Sequence, residues 1–290
     1  MRLGLLTPVV MQLPGAAAPW EASAGPDDLV RVAEEADRLG YAHLTCSEHV
    51  AVPAEGAAQR GRVYWDPLAT LSFLAARTRR LRLVTNVLVL GYHHPLEIAK
   101  RYGTLDALSG GRMVLGVGVG TLEEEFDLLG APFADRGARA DDALRALRAS
   151  LSQPVPAYRG EFYRFSGMAV EPHAVQDRVP IWVGGRTRRS LRRALTLADG
   201  WMPMALRPEE CRDLLAEVTE DSGRPDGFDL VLGAGRPLDP IGDPDRSRAT
   251  LGRLAEAGAT VANASFVSRS VEHYLEQMET LMQLRDGVAG

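Results

Sequence analysis

Residues 84 to 120 read VTNVLVLGYHHPLEIAKRYGTLDALSGGRMVLGVGVG, and this stretch sets the frame for the rest of the chain. Val84 to Leu90 is a continuous apolar run rich in β-branched residues, the pattern of a strand covered on both faces of a parallel sheet. Pro95 suits the first turn of a helix, where its missing N–H costs nothing. Leu96, Ala99, Leu105 and Leu108 give that helix an apolar face. Ser109-Gly110-Gly111 ends it, because glycine takes the left-handed conformation that helix C-termini commonly need. Met113 to Val117 reads as the next buried strand, with Gly116, Gly118 and Gly120 permitting close approach near its carboxyl end. The unit is strand, helix, parallel strand. In α/β proteins ligands collect at the carboxyl ends of such strands.

Working outward, the same alternation fills the chain. Leu3 to Leu6 is a short strand, followed by a long loop from Pro8 to Gly25. Pro26-Asp27-Asp28 starts a helix with negative charge in its first turn; Leu29, Val32, Ala33, Ala36 and Leu39 face inward, and Gly40 ends it. Tyr41 to Cys46 is strand two, and Trp65-Asp66-Pro67 opens a helix through Arg77. After Gly120 the pattern is interrupted. Helices over 122–129 and 136–151, and a hairpin pairing 158–165 with 168–171, form an expected insertion at about 121–179 that covers one end. Strands then follow at 180–185, 200–203, 229–233 and 260–266, with helices at 187–198, 208–220, 243–257 and 271–284. Eight strand–helix pairs predict an α/β fold, a (β/α)8 TIM barrel with an insertion after strand four, built as one domain over residues 1–290.

Composition narrows the function. A net charge of -5 argues against nucleic-acid and anionic-membrane partners, which call for a basic face. The two cysteines, Cys46 and Cys211, make no disulfide framework, and the opening MRLGLLTPVV, broken by Pro8, is unlike a signal peptide. A cytoplasmic compartment is expected, with no membrane span. The chain lacks HExxH, CxxC, GxxxxGK[ST] and GxSxG patterns, and His93 and His94 would point to opposite sides, so no metal site is expected.

Several residues could carry chemistry. Glu48-His49 stands where strand two ends, and histidine is the side chain best suited to proton exchange near neutral pH. Glu48 could orient that histidine or accept from a ligand N–H; a structural histidine bonded to a loop carbonyl is the plainer reading. Gly118 and Gly120 could admit a flat ring or a phosphate, or serve tight packing. Gly184-Gly185 precedes a helix whose free N–H groups could hold an anion, with Arg186, Arg188 and Arg189 beside it. A solvated helix face is the alternative for the arginines. Asn86-Val87 puts a polar amide inside an apolar strand, where it needs partners or a kink.

With these residues in hand, the chain resembles the bacterial luciferase-like superfamily, in its coenzyme F420-dependent oxidoreductase branch. The likeness rests on SEH at 47–49, the opening stretch from 85 to 120, FADRGAR at 133–139, YRGEFYRFSGMAVEP at 158–172 and PIWVGGRTRRSLRRALTLADGWMP at 180–203. It implies a (β/α)8 barrel, commonly a homodimer, that holds a flavin or 5-deazaflavin at the strand carboxyl ends and acts on a small-molecule substrate. It further implies that His49 stands next to the hydride-transfer centre and that Glu48, more often Asp, contacts the ring. Asn86-Val87 matches a non-prolyl cis peptide behind the ring. Gly118 and Gly120 match glycines near the cofactor side chain, and Gly184 and Gly185 match its phosphate site, beside which Arg186, Arg188 and Arg189 suit an anion electrostatically. Thr121 departs from the pattern: sugar-phosphate dehydrogenases of the branch carry glutamate there. F420, with a phosphodiester and acidic tail, suits the arginines; FMN in a monooxygenase, or a non-catalytic flavin-binding barrel, are the rival readings.

Overall fold

Eight parallel strands close on themselves in the computed structural model, which describes residues 1–220 and 223–286. They are β1 (Arg2–Leu5), β2 (His43–Cys46), β3 (Arg82–Thr85), β4 (Met113–Gly118), β5 (Ile181–Gly184), β6 (Gly200–Met202), β7 (Asp229–Gly233) and β8 (Val261–Ala264). Closure comes from two joins. β1 pairs with β8 through Arg2↔Val261 to Leu5↔Ala264, and β3 pairs with β4 through Leu83↔Met113 and Val84↔Val114. Around them run α1 (Pro26–Leu39), α2 (Pro67–Ala75), α3 (Pro95–Ser109), the short α4 (Glu123–Leu128), α5 (Arg136–Arg148), α6 (Arg188–Leu197), α7 (Pro208–Thr219), α8 (Pro244–Glu256) and α9 (Val271–Asp286).

Helix punctuation follows the side chains. Proline sits in the first turn of α1, α2, α3, α7 and α8, and Gly40 and Gly110 close α1 and α3 in the left-handed conformation. Asp66 accepts from Ala69 N at 2.7 Å to cap α2. Arg112, just before β4, stitches the ends of α2 and α3 together by donating to Ala75 O, Leu81 O and Ser109 O at 2.7–3.0 Å.

Large side chains from some strands fill the barrel where others supply glycine. Val84, Val114, Trp182, Met202, Val231 and Val261 form its apolar centre, all at most 4% exposed. His43 joins them fully buried, with Nε2 2.7 Å from Asn263 Oδ1 and its ring edge-on to Trp182. A Cβ on Gly4 would fall 2.2 Å from the His43 ring, so β1 must carry glycine where β2 carries histidine. Burial favours the neutral imidazole and pushes His43 down to about 4. Trp182 Nε1, buried beside it, has no hydrogen-bond partner among the described residues.

The expectations need correction in four places. Val84 to Leu90 is not one strand: β3 stops at Thr85, the Asn86–Val87 peptide is cis, and a ladder resumes only at Leu88–Val89. On α3 the buried line runs through Ile98, Tyr102 and Leu105, and Leu108, about a quarter turn round, is 72% exposed. The hairpin lies within 158–165, pairing Tyr158 with Phe165, and Met168–Glu171 is not a strand. Asp142 holds it by accepting from Tyr158 Oη, Phe162 N and Tyr163 N at 2.5–3.0 Å. Finally, α5 lies between α3 and α6 as the barrel's own fourth outer helix. Of the expected insertion, α4 and the segment after α5 are what is extra to the barrel.

Candidate active site

The carboxyl ends of β2 and β3 are tied together residue by residue. Asn86 N donates to Cys46 O at 2.8 Å, Ser47 Oγ to Asn86 O at 2.7 Å, and Glu48 N to Val87 O at 3.3 Å. The Asn86 side-chain amide, half-buried, makes no hydrogen bond among the described residues. Val87 drops its methyl groups between two neighbouring strands. A Cβ on Gly118 would stand 2.7 Å from Val87 Cγ2, and one on Gly184 2.8 Å from Val87 Cγ1. The space that side chains would need at both positions therefore belongs to Val87. Gly120, at φ +78°, leaves its room to Phe126 and Val89, whose carbons a Cβ would meet at 2.5 and 2.8 Å.

Glu48 does not reach His49. Consecutive residues of extended chain point to opposite sides, and the Glu48 carboxylate turns into the protein. It accepts from Val89 N at 2.6 Å and pairs with His93 Nε2 at 2.6 Å, and the residue is 7% exposed. Burial alone would lower His93, but the Glu48 carboxylate, with Glu97 behind the ring, outweighs it and raises His93 above the usual histidine range. Next door, His94 turns the other way and caps α3, its Nδ1 accepting from Leu96 N at 3.2 Å.

His49 finds a different carboxylate. Its Nδ1 lies 2.8 Å from Glu125 Oε2, while Nε2 makes no hydrogen bond among the described residues. The His49 side chain is 30% exposed and that of Glu125 is 0% exposed. Tyr64 stands edge-on to the imidazole with ring centres 4.5 Å apart. Glu125 comes from α4, and Phe126 beside it seats that helix on the barrel by packing into the room left by Gly91 and Gly120. Tyr92 Oη also donates to Glu125, at 2.7 Å, as do Val50 N and Ala51 N at 2.5 and 3.2 Å. Burial pulls the Glu125 carboxyl up, but the bonds from Tyr92, His49 and Ala51 outweigh it and hold it below the usual carboxylate range. Sequence reasoning missed Glu125 and Tyr92. Tyr92 stood in the opening stretch, and Glu125 in the acidic run Glu123-Glu124-Glu125 just after it.

The start of α6 faces the same end of the barrel. Gly185 turns the chain at φ +123° against Ser190, and Thr187 Oγ1 caps the helix by accepting from Ser190 N at 3.2 Å. The N–H groups of Arg186, Arg188 and Arg189 find no acceptor among the described residues. Arg186 and Arg189 are exposed, whereas Arg188 is paired with Glu217 at 2.5 Å. The structure thus brings His49, Asn86, Val87, Gly118, Gly120, Gly184, Gly185 and Arg186 to one end of the strands and turns Glu48 inward. A cavity of about 570 Å³ opens at the opposite end, lined by Arg2, Arg224, Asp229 and Thr260. There Arg2 is already paired with Asp229.

A family model described as luciferase-like monooxygenase matches residues 1–265. The chain is 32% identical over 248 residues to an uncharacterized protein of Mycobacterium tuberculosis, covering 83% of this chain and 85% of that one. It is 30% identical over 195 residues to the F420-dependent glucose-6-phosphate dehydrogenase of Intrasporangium calvum, covering 63% of this chain and 56% of the relative. Among solved structures, monooxygenase RslO1 from Streptomyces bottropensis matches with a TM-score of 0.81 and 22% identity over 100% of both chains, a likeness of fold. Among the described residues no helix is long and apolar enough to cross a membrane.

Proposed function

We propose that this chain, which belongs to the luciferase-like monooxygenase family, moves a hydride between coenzyme F420 and a small organic substrate. The observation that carries the reading is His49 at the strand carboxyl ends, held through Nδ1 by a buried carboxylate, with Nε2 unbonded among the described residues. The residues present fit the cofactor. Asn86 and Val87 would back the ring, and the bare N–H groups at Arg186, Arg188 and Arg189 would hold the phosphodiester. The Arg186 and Arg189 side chains add positive charge suited to an acidic tail.

When bound, the deazaflavin supplies the two-electron chemistry, and the protein supplies position and electrostatics. His49 Nε2 is placed to take a proton from the substrate or return one. Such a positioned acid or base contributes about 10²–10⁴-fold to rate. Glu125 holds the ring in place, and Tyr64 limits its swing. With Thr121 after Gly120, the site lacks the glutamate that sugar-phosphate chemistry in this branch uses, so another small organic substrate is expected.

Fluorescence titration with F420, FMN and FAD side by side tests the reading. F420 should bind at least about tenfold more tightly than FMN, a difference of roughly 1.4 kcal/mol. Equal affinities, or FMN co-purifying at full occupancy, would shift the reading to a flavin monooxygenase.

A further inference from the structure

We propose that Glu125 is a positioning residue that fixes the tautomer of His49, leaving Nε2 as a bare lone pair at the barrel mouth. This rests on the reading that His49 exchanges a proton there. An ionised carboxylate only accepts hydrogen bonds, so the ring nitrogen facing Glu125 Oε2 at 2.8 Å must carry the hydrogen. A neutral imidazole has one N–H, and once Nδ1 holds it Nε2 is an acceptor.

The surroundings keep Glu125 in its accepting role. Among the described residues no arginine or lysine pairs with it; its charge is held instead by four donors, two on each oxygen. Tyr92 has its pKa raised, first by burial and then by Glu125 itself, so its hydroxyl stays a donor. Nothing in β2 sets the tautomer. The choice is made by a helix inserted after β4, 76 residues away in sequence, and it exists only while α4 is seated.

The two oxygens differ in a way that makes a sharp test. Oε1 faces two backbone N–H groups, of Val50 and Ala51, which cannot accept. In Glu125→Gln the amide oxygen must therefore stay at that position, and the NH₂ takes the place of Oε2, facing His49 Nδ1. The amide then donates where the carboxylate accepted, and the His49 proton moves to Nε2. Protein labelled with ¹⁵N-histidine, with His49→Gln to assign the signal, reads this directly by long-range ¹H–¹⁵N NMR at the high-pH limit of the signal, where the ring carries a single proton. Wild type should show Nδ1 protonated and Nε2 bare, and Glu125→Gln the reverse.

The wild-type spectrum decides even if the variant does not fold: a bare Nδ1 overturns the proposal. So does a folded variant with an unchanged pattern, which would leave Glu125 as an anchor for α4 alone. Neither measurement needs cofactor or substrate, so the proposal can stand if F420 fails to bind. With F420 and a substrate, Glu125→Gln should lower kcat by about 10²-fold or more with the F420 Kd unchanged. A reversed tautomer with unaltered kcat would remove the positioning role.

Discussion

Gly184→Ala tests whether the glycine beside the proposed phosphate site is there for Val87. The added Cβ would lie 2.8 Å from Val87 Cγ1, while its next neighbours, Val117 O and Met202 O, stand at 3.4 and 3.8 Å, within ordinary contact. Only Val87 obstructs it, and Val87 is hemmed in on its far side by Gly118. Relief therefore requires a shift of the Val87 backbone or an off-rotamer side chain, and overpacking of this kind costs about 1–3 kcal/mol. Val87→Ala alone removes two methyl groups, worth about 1.5 kcal/mol at roughly 0.8 per carbon. In that background Gly184→Ala has room and should cost less than about 0.5 kcal/mol, which makes the coupling in the double-mutant cycle about 1–2 kcal/mol. Urea midpoints of the four proteins at constant m-value supply the measurement. Gly185→Ala serves as the control, because at φ +123° its strain is independent of Val87 and should add without coupling. Strict additivity of Gly184→Ala with Val87→Ala would refute the packing account. If Gly184→Ala left stability intact and abolished F420 binding, the glycine would be serving ligand approach instead.

Two further outcomes follow from buried polar groups. His43, down at about 4 in the folded protein against about 6.5 unfolded, contributes stability that is complete above pH 6.5 and is lost as pH falls towards 4, because the unfolded chain then binds the extra proton. The effect is about 3 kcal/mol, read as the pH dependence of the urea midpoint; His43→Leu should flatten that slope, and an unchanged slope in the variant would show another group responsible. Asp106, fully buried, accepts from Met113 N, Val175 N, Gln176 N and Gln176 Nε2 at 2.7–3.2 Å, anchoring the chain that returns from the segment after α5. Asp106→Asn turns a donor towards those donors and should cost about 2–4 kcal/mol by thermal or urea unfolding; a loss under about 0.5 would mean the anchor lies elsewhere.

The barrel was legible because its signals are local. Apolar runs of strand length, prolines at helix starts and glycines at helix ends all act within a few residues, and β4, β5, β7 and most helices fall where those signals place them. What was not legible depends on partners far away in the chain. The break in β3 belongs to cross-strand bonds between 46–48 and 86–87, and the glycines at 118 and 184 answer to Val87 on another strand. Glu48 shows the cost of reading neighbours as partners. It adjoins His49 in sequence and is bonded instead to His93 and Val89, while the carboxylate that does hold His49 comes from α4.

His43 and His49 sharpen the point, since one opens β2 and the other lies just beyond it, yet His43 is buried and His49 is partly exposed. Six residues separate them. His43 lies inside the barrel, where burial disfavours its charged form and Asn263 occupies Nε2, so the ring is a piece of core that happens to be polar. His49 lies beyond the last ladder residue, partly exposed, with a carboxylate on one nitrogen and no partner on the other among the described residues. Composition and periodicity treat the two alike. The difference is made by β1, which supplies Gly4 so that a ring can fit inside, and by α4, which supplies Glu125 so that a ring outside is held in one orientation. The proposed chemistry at the mouth therefore depends on an element outside the eight-fold repeat. Removing the α4 carboxylate should disable His49 without loosening the barrel, whereas crowding Gly4 should unfold the barrel before it touches the site.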